Sequence, residues 1–312
     1  MMPARRLLVT GATGFAGAWV LRHWRGRHPD AEIWAMSDRP DPPSVPVEQY
    51  RRIDLRDAQA VLDFVSACRP TEVVHLAGLI GGASLTDHLS VNVVGTDNLY
   101  AALSDADAPA GLRVVQVGSA AIYGKVREED LPISESQPLR PVGPYALSKA
   151  AQDHLAATAH LQYGLKVLRA RVFNMLGPGQ SDKLVPMTFL RQLSDCRSGR
   201  TDHVSVGNTA PRRDFVDVRD VAAALDVLLR EGEPGEAYNV ASGQDVSVQE
   251  ILDILPGVTG IQAPVRQAAQ RTRGIEVPCV RADVSKIAAA TGWQAKIQLR
   301  QSLDEMWRSL AQ

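Results

Sequence analysis

Short apolar runs alternate with amphipathic stretches from the N-terminus to about residue 172. Segments 5–10, 33–36, 73–75, 113–117 and 166–172 read as strands, and Leu7-Leu8-Val9 in the first is apolar on both faces, the mark of a buried parallel strand. Helical periodicity fills the intervals, most clearly at 57–68 and 146–163. Strand and helix in alternation predict an α/β chain with a doubly wound parallel sheet. Pro40, Pro42, Pro43 and Pro46 mark a flexible surface loop. After Gly177-Pro178-Gly179 the alternation breaks down. Segment 214–218 then reads as a strand returning to the sheet and 220–230 as a helix, with further helical stretches at 283–291 and 300–310. The expected division is a larger unit, 1–176 with 211–240, and a smaller discontinuous lobe, 177–210 with 241–312.

Composition narrows the class. The 312 residues are 45% hydrophobic, ample for a full core, and carry 34 basic against 35 acidic residues. Without a basic stripe a nucleic-acid partner is not expected, and the apolar runs are too short to span a bilayer. Residues 1–6 lack the apolar core of a signal peptide. Cys68, Cys196 and Cys279 are odd in number and far apart, and the seven histidines show no paired spacing. Free thiols, no metal and a cytoplasmic location are the expectation.

The first strand runs into Gly11-Ala12-Thr13-Gly14-Phe15-Ala16-Gly17, and a helical stretch follows. Strand, glycine turn and helix in this order form a Rossmann-type dinucleotide-binding unit. Gly11 permits the tight turn, Gly14 lets backbone approach a pyrophosphate at the helix N-terminus, and Gly17 allows close helix–sheet packing. Asp38 lies 21 positions after Gly17, where an acid accepts hydrogen bonds from the adenosine ribose. That favours NAD, whereas Arg39 next to it could pair with the 2′-phosphate of NADP.

Tyr145 and Lys149 are four residues apart, which puts both on one face of a helix. Free tyrosine titrates near ~10, so bringing it to neutrality requires about 4 kcal/mol. A close lysine and a cationic nicotinamide could supply this, leaving a phenol able to exchange a proton at a sugar hydroxyl. A Tyr-x-x-x-Lys pair by itself is more often a surface helix pair; the glycine turn and Ser119 change its meaning.

The G-x-x-G-x-x-G spacing with Ser119, Tyr145 and Lys149 resembles the extended short-chain dehydrogenase/reductase family. His75-Leu76-Ala77-Gly78 is similar to the family's turn beneath the cofactor, and Asn92-Val93-Val94-Gly95-Thr96 to its N-x-x-G-T motif. Val117-Gly118-Ser119 is similar to the strand that delivers the catalytic serine. The resemblance implies catalytic Ser119, Tyr145 and Lys149. It implies a cofactor site of Gly11, Thr13, Gly14, Phe15, Gly17, Asp38, Arg39, Asp54, Leu55, Leu76, Ala77, Gly78 and Asn92 with Tyr145 and Lys149. Segments 171–180, 212–220 and 273–278 resemble the GDP-6-deoxy-4-keto-mannose reductases. This implies a nucleoside-diphosphate sugar, preferably of guanine, bound by Ser84, Ser119, Asn174, Val185, Arg213, Arg273 and Glu276. Guanidinium groups suit its diphosphate and Glu276 its ribose diol.

Members of this family exchange hydride at sugar C4. The 4,6-dehydratases need a further acid/base group just after the serine, where this chain has Ala120 and Ala121, so that activity is not expected. A 4-keto reductase is favoured. An NAD-retaining 4-epimerase is the alternative, since residues 119–124, 75–79 and Asp38 resemble the epimerases. A non-catalytic dinucleotide sensor would not need all of Ser119, Tyr145 and Lys149. The helix after Tyr145 is apolar on more than one face through Ala146, Ala150, Ala151, Leu155, Ala156, Ala157 and Ala159, and by the resemblance forms a homodimer.

Overall fold

The structure is a computed structural model that describes residues 5–105, 109, 111–182, 184–268 and 277–310. The elements run β1 (Arg6–Thr10), α1 (Phe15–Arg27), β2 (Glu32–Ser37), β3 (Gln49–Arg52), α2 (Ala58–Cys68), β4 (Glu72–His75), α3 (Leu85–Leu89), α4 (Gly95–Asp105), β5 (Arg113–Val117), α5 (Pro144–Tyr163) and β6 (Lys166–Val172). They continue as β7 (Asn174–Leu176), α6 (Val185–Arg197), β8 (Val204–Val206), β9 (Arg212–Asp217), α7 (Val218–Glu231), β10 (Ala237–Val240), β11 (Asp245–Ser247), α8 (Val248–Thr259), β12 (Val265–Gln267), β13 (Cys279–Val280), α9 (Ser285–Thr291) and α10 (Leu299–Leu310).

Leu7, Leu8 and Val9 have no exposed surface, because β1 lies inside a seven-stranded parallel sheet of order β3-β2-β1-β4-β5-β6-β10. One face is covered through Leu21 and Trp24 of α1 and Val221, Leu225 and Leu228 of α7. The other is covered by Val61 and Phe64 of α2, Leu99 and Leu103 of α4, and Ala156 and Ala159 of α5. Strand order reverses between β1 and β4, which opens a crevice at the C-terminal ends of these strands. This is the doubly wound Rossmann-like arrangement that the alternation predicts.

The strand expected at 214–218 exists as β9 but does not return to the central sheet. It pairs with β11, β13 and β7 in a second small sheet. The reason is polarity: β9 reads Arg-Arg-Asp-Phe-Val-Asp and is only partly buried, so it cannot sit between two apolar helix layers. The returning strand is β10, Ala-Tyr-Asn-Val, buried at every position. The polar edge strand β3, Gln-Tyr-Arg-Arg, also carried no apolar signal and forms by pairing with β2. A separate core joins Leu190 and Leu193 of α6, Ile251 and Leu255 of α8, and Leu303, Met306 and Trp307 of α10.

Candidate functional site

The crevice begins at the β1–α1 turn. Gly11 has a φ of +66°, and a Cβ there would lie 2.8 Å from the Ala77 nitrogen, so only glycine lets this turn pass under the end of β4. A Cβ at Gly17 would lie 2.5 Å from the Gly11 carbonyl, which enforces the close helix–turn approach. Helix α1 opens at Gly14 and Phe15 with neither a side-chain cap nor an acidic residue in its first turn. Its positive end is thus left without a side-chain anion of its own.

The end of β2 carries the polar groups beside this turn. Thr13 and Ser37 share a hydrogen bond between hydroxyls at 2.6 Å. Asp38 and Arg39 are exposed, the Arg39 guanidinium donating to the Thr13 carbonyl at 3.4 Å. Arg52, from β3, donates through Nε to the Asp38 carbonyl at 2.9 Å. Two guanidinium groups therefore flank Asp38, one of them from a strand that the sequence did not reveal. Asp54 is held below the usual carboxylate range by its hydrogen bonds with Arg56, and Leu55 is buried against Gly95.

Ser119 lies two residues past β5 and caps a single helical turn, its Oγ accepting the Ala121 N–H at 3.2 Å. Gly143 and Pro144 start α5, so Tyr145 occupies its first turn and Lys149 the next. Tyr145 is half-buried. Burial pushes its phenol above the ordinary value, opposed by a hydrogen bond with Ser119. The expected lowering by Lys149 is not realised in the protein by itself. The Lys149 ammonium instead donates to the Val117 carbonyl at 2.8 Å and to Gln152 Oε1. Burial brings Lys149 down to about 8, against the opposing field of Asp153.

Leu76, Ala77 and Gly78 follow β4 as expected, and Ala77 N–H donates to Thr10 Oγ1 at 3.1 Å. Asn92 lies on a π-helical turn, Ser90–Val94, and is fully buried. Its Oδ1 accepts the Leu79 N–H at 2.6 Å, while Nδ2 donates to the Leu79 carbonyl at 3.2 Å and to Ser148 Oγ at 2.9 Å. With both N–H donors engaged, Asn92 clamps the 78–79 segment against α5. The sequence reading also passed over His88. This side chain is 1% exposed, meets the Tyr145 ring edge-on at 5.8 Å, and has no partner for Nδ1 among the described residues.

A cavity of about 530 Å³ opens beside Tyr145, lined by Ser119, Ala120, Ala121, Asn174 and Arg213 among others. The chain folds these together from β5, α5, β7 and β9. Arg213 donates to the Arg212 carbonyl at 2.7 Å, and Asn174 Nδ2 to the Asp214 carbonyl at 3.2 Å. Asp214 is fully buried beneath this wall and accepts from Ser242 N and Oγ, Gly243 N and Ala282 N. Ser84 and Val185 lie outside the cavity lining. The Ser84 hydroxyl is engaged in a capping box with Asp87, and Val185 is the exposed first residue of α6. Arg273 and Glu276 lie outside the described residues.

A glycine turn at the switch point of a parallel sheet, with a serine just past the end of β5 and a tyrosine and lysine on the first two turns of α5, has the make-up of a dehydrogenase/reductase site. Comparison with known proteins narrows the class. The sequence model of the GDP-mannose 4,6 dehydratase family matches residues 8–306. The chain is 33% identical over 304 residues to the GDP-6-deoxy-D-mannose reductase of Pseudomonas aeruginosa, covering 96% of this chain and 95% of that protein. It is 28% identical to the GDP-6-deoxy-D-talose 4-dehydrogenase of Aggregatibacter actinomycetemcomitans, with 97% of each covered. The structure of RMD from Pseudomonas aeruginosa complexed with NADPH superposes with a TM-score of 0.87 at 32% identity, over 98% of both chains. The chain belongs to the GDP-mannose 4,6-dehydratase family, within the extended short-chain dehydrogenase/reductases.

Proposed function

We propose that the protein reduces a 4-keto-6-deoxyhexose carried on a nucleoside diphosphate, with GDP favoured, and uses NAD(P)H. The observation that carries this is the chemistry of the cavity wall. Ser119 and Tyr145 supply a hydrogen-bond donor and a proton, while Ala120 and Ala121 offer only methyl groups. Reduction at C4 needs the former alone; dehydration across C5 and C6 needs a second proton carrier. The reductase and dehydrogenase names of the relatives support a C4 oxidoreductase.

A dinucleotide fits the residues present. The Gly11 turn leaves no room for a side chain, and α1 presents its uncapped N-terminus to a pyrophosphate. Thr13, Gly14 and Phe15 would hold the diphosphate; Asp38, Arg39 and Arg52 would face the adenosine ribose; Asp54 and Leu55 would border the adenine. Arg39 and Arg52 together suit a 2′-phosphate, and Asp38 suits free ribose hydroxyls. When bound, the nicotinamide supplies the hydride to C4. Tyr145 delivers its proton to the C4 oxygen, which Ser119 holds by a hydrogen bond. The raised phenol keeps that proton available at neutral pH. Asn174 and Arg213 line the path to the diphosphate, and Arg273 and Glu276 are proposed for the diphosphate and ribose from sequence.

We place the cofactor on the seven-stranded unit and the sugar nucleotide in the cleft towards the smaller lobe. Leu147 and Leu161 of α5 are exposed at 45% and 84% and lie on one side of the helix, an apolar face suited to a second copy of the chain. A cytoplasmic location is part of this reading; among the described residues no helix is long and apolar enough to cross a membrane.

The test mixes the protein with GDP-4-keto-6-deoxy-mannose and NADH or NADPH and follows nicotinamide absorbance. Stoichiometric oxidation is expected, and the faster cofactor decides between Asp38 and the arginines. No oxidation, with NAD released on denaturation, would refute the reductase and favour an epimerase.

A further inference from the structure

A chain of polar side chains runs beneath the site, and all of its members are nearly sealed from solvent: Thr10, His75, Thr96, Gln152 and Lys149 are 0–5% exposed. Its donors and acceptors can be assigned one by one. Thr96 Oγ1 donates to the Asn92 carbonyl at 2.7 Å, so it can only accept from its other neighbours. Gln152 Nε2 donates to it at 2.7 Å and His75 Nε2 at 2.8 Å; these two nitrogens stand 3.3 Å apart as donors to the one oxygen and make no hydrogen bond to each other. His75 is therefore protonated on Nε2, and its Nδ1 accepts from Thr10 Oγ1 at 2.7 Å. Thr10 Oγ1 in turn accepts the Ala77 N–H at 3.1 Å. Burial and the nearby Lys149 charge hold His75 down to about 3, which keeps it neutral in this role.

The consequence falls on Gln152. With its amide nitrogen fixed on Thr96, its Oε1 must face the Lys149 ammonium; a flipped amide would put N–H against N–H there and leave Thr96 with an acceptor it cannot satisfy. We propose that Gln152 is a positioning residue for Lys149, its locked Oε1 and the Val117 carbonyl holding two ammonium N–H groups and leaving the third for a ligand in the crevice. Gly78 stands on that side, where a Cβ would lie 3.9 Å from Nζ. Gln152 is three residues beyond Lys149 on the same helical face, so the contact is local, but its orientation depends on β1, β4 and α4.

The anchor is neutral, and this governs the charge it stabilises. The groups facing Lys149 are His75 of β4, which is neutral, Tyr145 one turn earlier on α5, and Asp153. The Asp153 carboxylate is held by Arg169 and Arg171 of β6 and so offers Lys149 no hydrogen bond. Removing the Gln152 acceptor thus weakens the charged form of Lys149, and a carboxylate in its place strengthens it.

The inference rests on Lys149 facing the cofactor, as proposed above, but its test needs no sugar. Binding of NADPH and NADH to the wild type, Gln152→Met and Gln152→Glu is titrated by nicotinamide fluorescence on both sides of pH 8. Wild-type binding should weaken above about pH 8 as Lys149 loses its proton. In Gln152→Met the dissociation constant at neutral pH should rise about tenfold, as expected for a hydrogen bond to a charged group. Its alkaline limb should fall by about one unit, and that of Gln152→Glu should move up by a similar amount. If Gln152→Met does not fold, the direction of the Gln152→Glu limb decides. Wild-type affinity and limb in Gln152→Met, or a downward limb in Gln152→Glu, would overturn the proposal; a purely structural glutamine would change melting temperature without moving the limb. A protein that binds NADPH in this pattern yet fails to reduce the keto sugar would refute the proposed substrate and leave the role of Gln152 supported.

Discussion

Replacing Asp153 by asparagine tests how the helix that carries Tyr145 and Lys149 is tied to the sheet. The Asp153 side chain is 1% exposed and lies against two guanidinium groups, Arg171 at 6% and Arg169 at 17%. It accepts Arg171 Nε at 3.0 Å, Arg171 Nη2 at 2.8 Å and Arg169 Nη1 at 2.9 Å. Asparagine removes the charge and replaces one acceptor oxygen by a donor that faces guanidinium N–H groups. Breaking a buried ion pair from one side costs about 3–5 kcal/mol. The lower end applies here, because Arg171 keeps the Tyr123 hydroxyl and the Glu135 carbonyl and Arg169 keeps the Gly235 carbonyl. A loss of about 3 kcal/mol corresponds to a drop of roughly 5 °C in melting temperature at this size. Burial would raise the Asp153 carboxyl, but the bonds and charges of Arg171 and Arg169 outweigh it and set it below the ordinary value. Its stabilisation is therefore complete above the unfolded value of ~3.9 and is lost as pH falls through the lower folded value. Guanidinium unfolding of Asp153→Asn against wild type, at neutral and acidic pH, measures both terms. A deficit below about 1 kcal/mol at neutral pH, or one that widens on acidification, would refute the account.

Tyr145→Phe should lower kcat by about 10²–10⁴-fold in the coupled keto-sugar assay while nicotinamide fluorescence still reports binding; undiminished turnover would remove Tyr145 from the chemistry. Gly11→Ala places a Cβ 2.8 Å from the Ala77 nitrogen at a φ of +66°, so NADPH binding should be lost and the melting temperature should fall. Isothermal titration showing wild-type affinity would contradict the proposed turn. Leu303→Ala opens a hole in the core shared by α6, α8 and α10, where Leu303 is wholly buried, and should cost about 2–5 kcal/mol by denaturant titration.

The glycine turn, the alternation that gives a parallel sheet, and the Tyr145–Lys149 pair were legible because each is a local pattern. An apolar triplet such as Leu7-Leu8-Val9 fits burial between two layers, and a spacing of four inside a helical stretch puts both residues on one face a turn apart. Partner choice was not legible. Segment 212–217 reads as a strand in any context, but whether it joins the central sheet depends on competition with the better-buried 237–240. The arginine of β3 beside Asp38 was invisible because that strand has no periodicity of its own.

What the sequence by itself determined, then, is the fold class, the family resemblance and the identity of the three residues Ser119, Tyr145 and Lys149. Only the tertiary structure decided what those residues face. It turned the Lys149 ammonium towards Val117 and Gln152, closed Asn92 into a backbone clamp, drew Ser84 into a helix cap and brought His88 against Tyr145. The physical reason is that a hydrogen bond is directional and saturable. Its final partner depends on every other donor and acceptor buried with it, and those arrive from strands and helices distant in the chain.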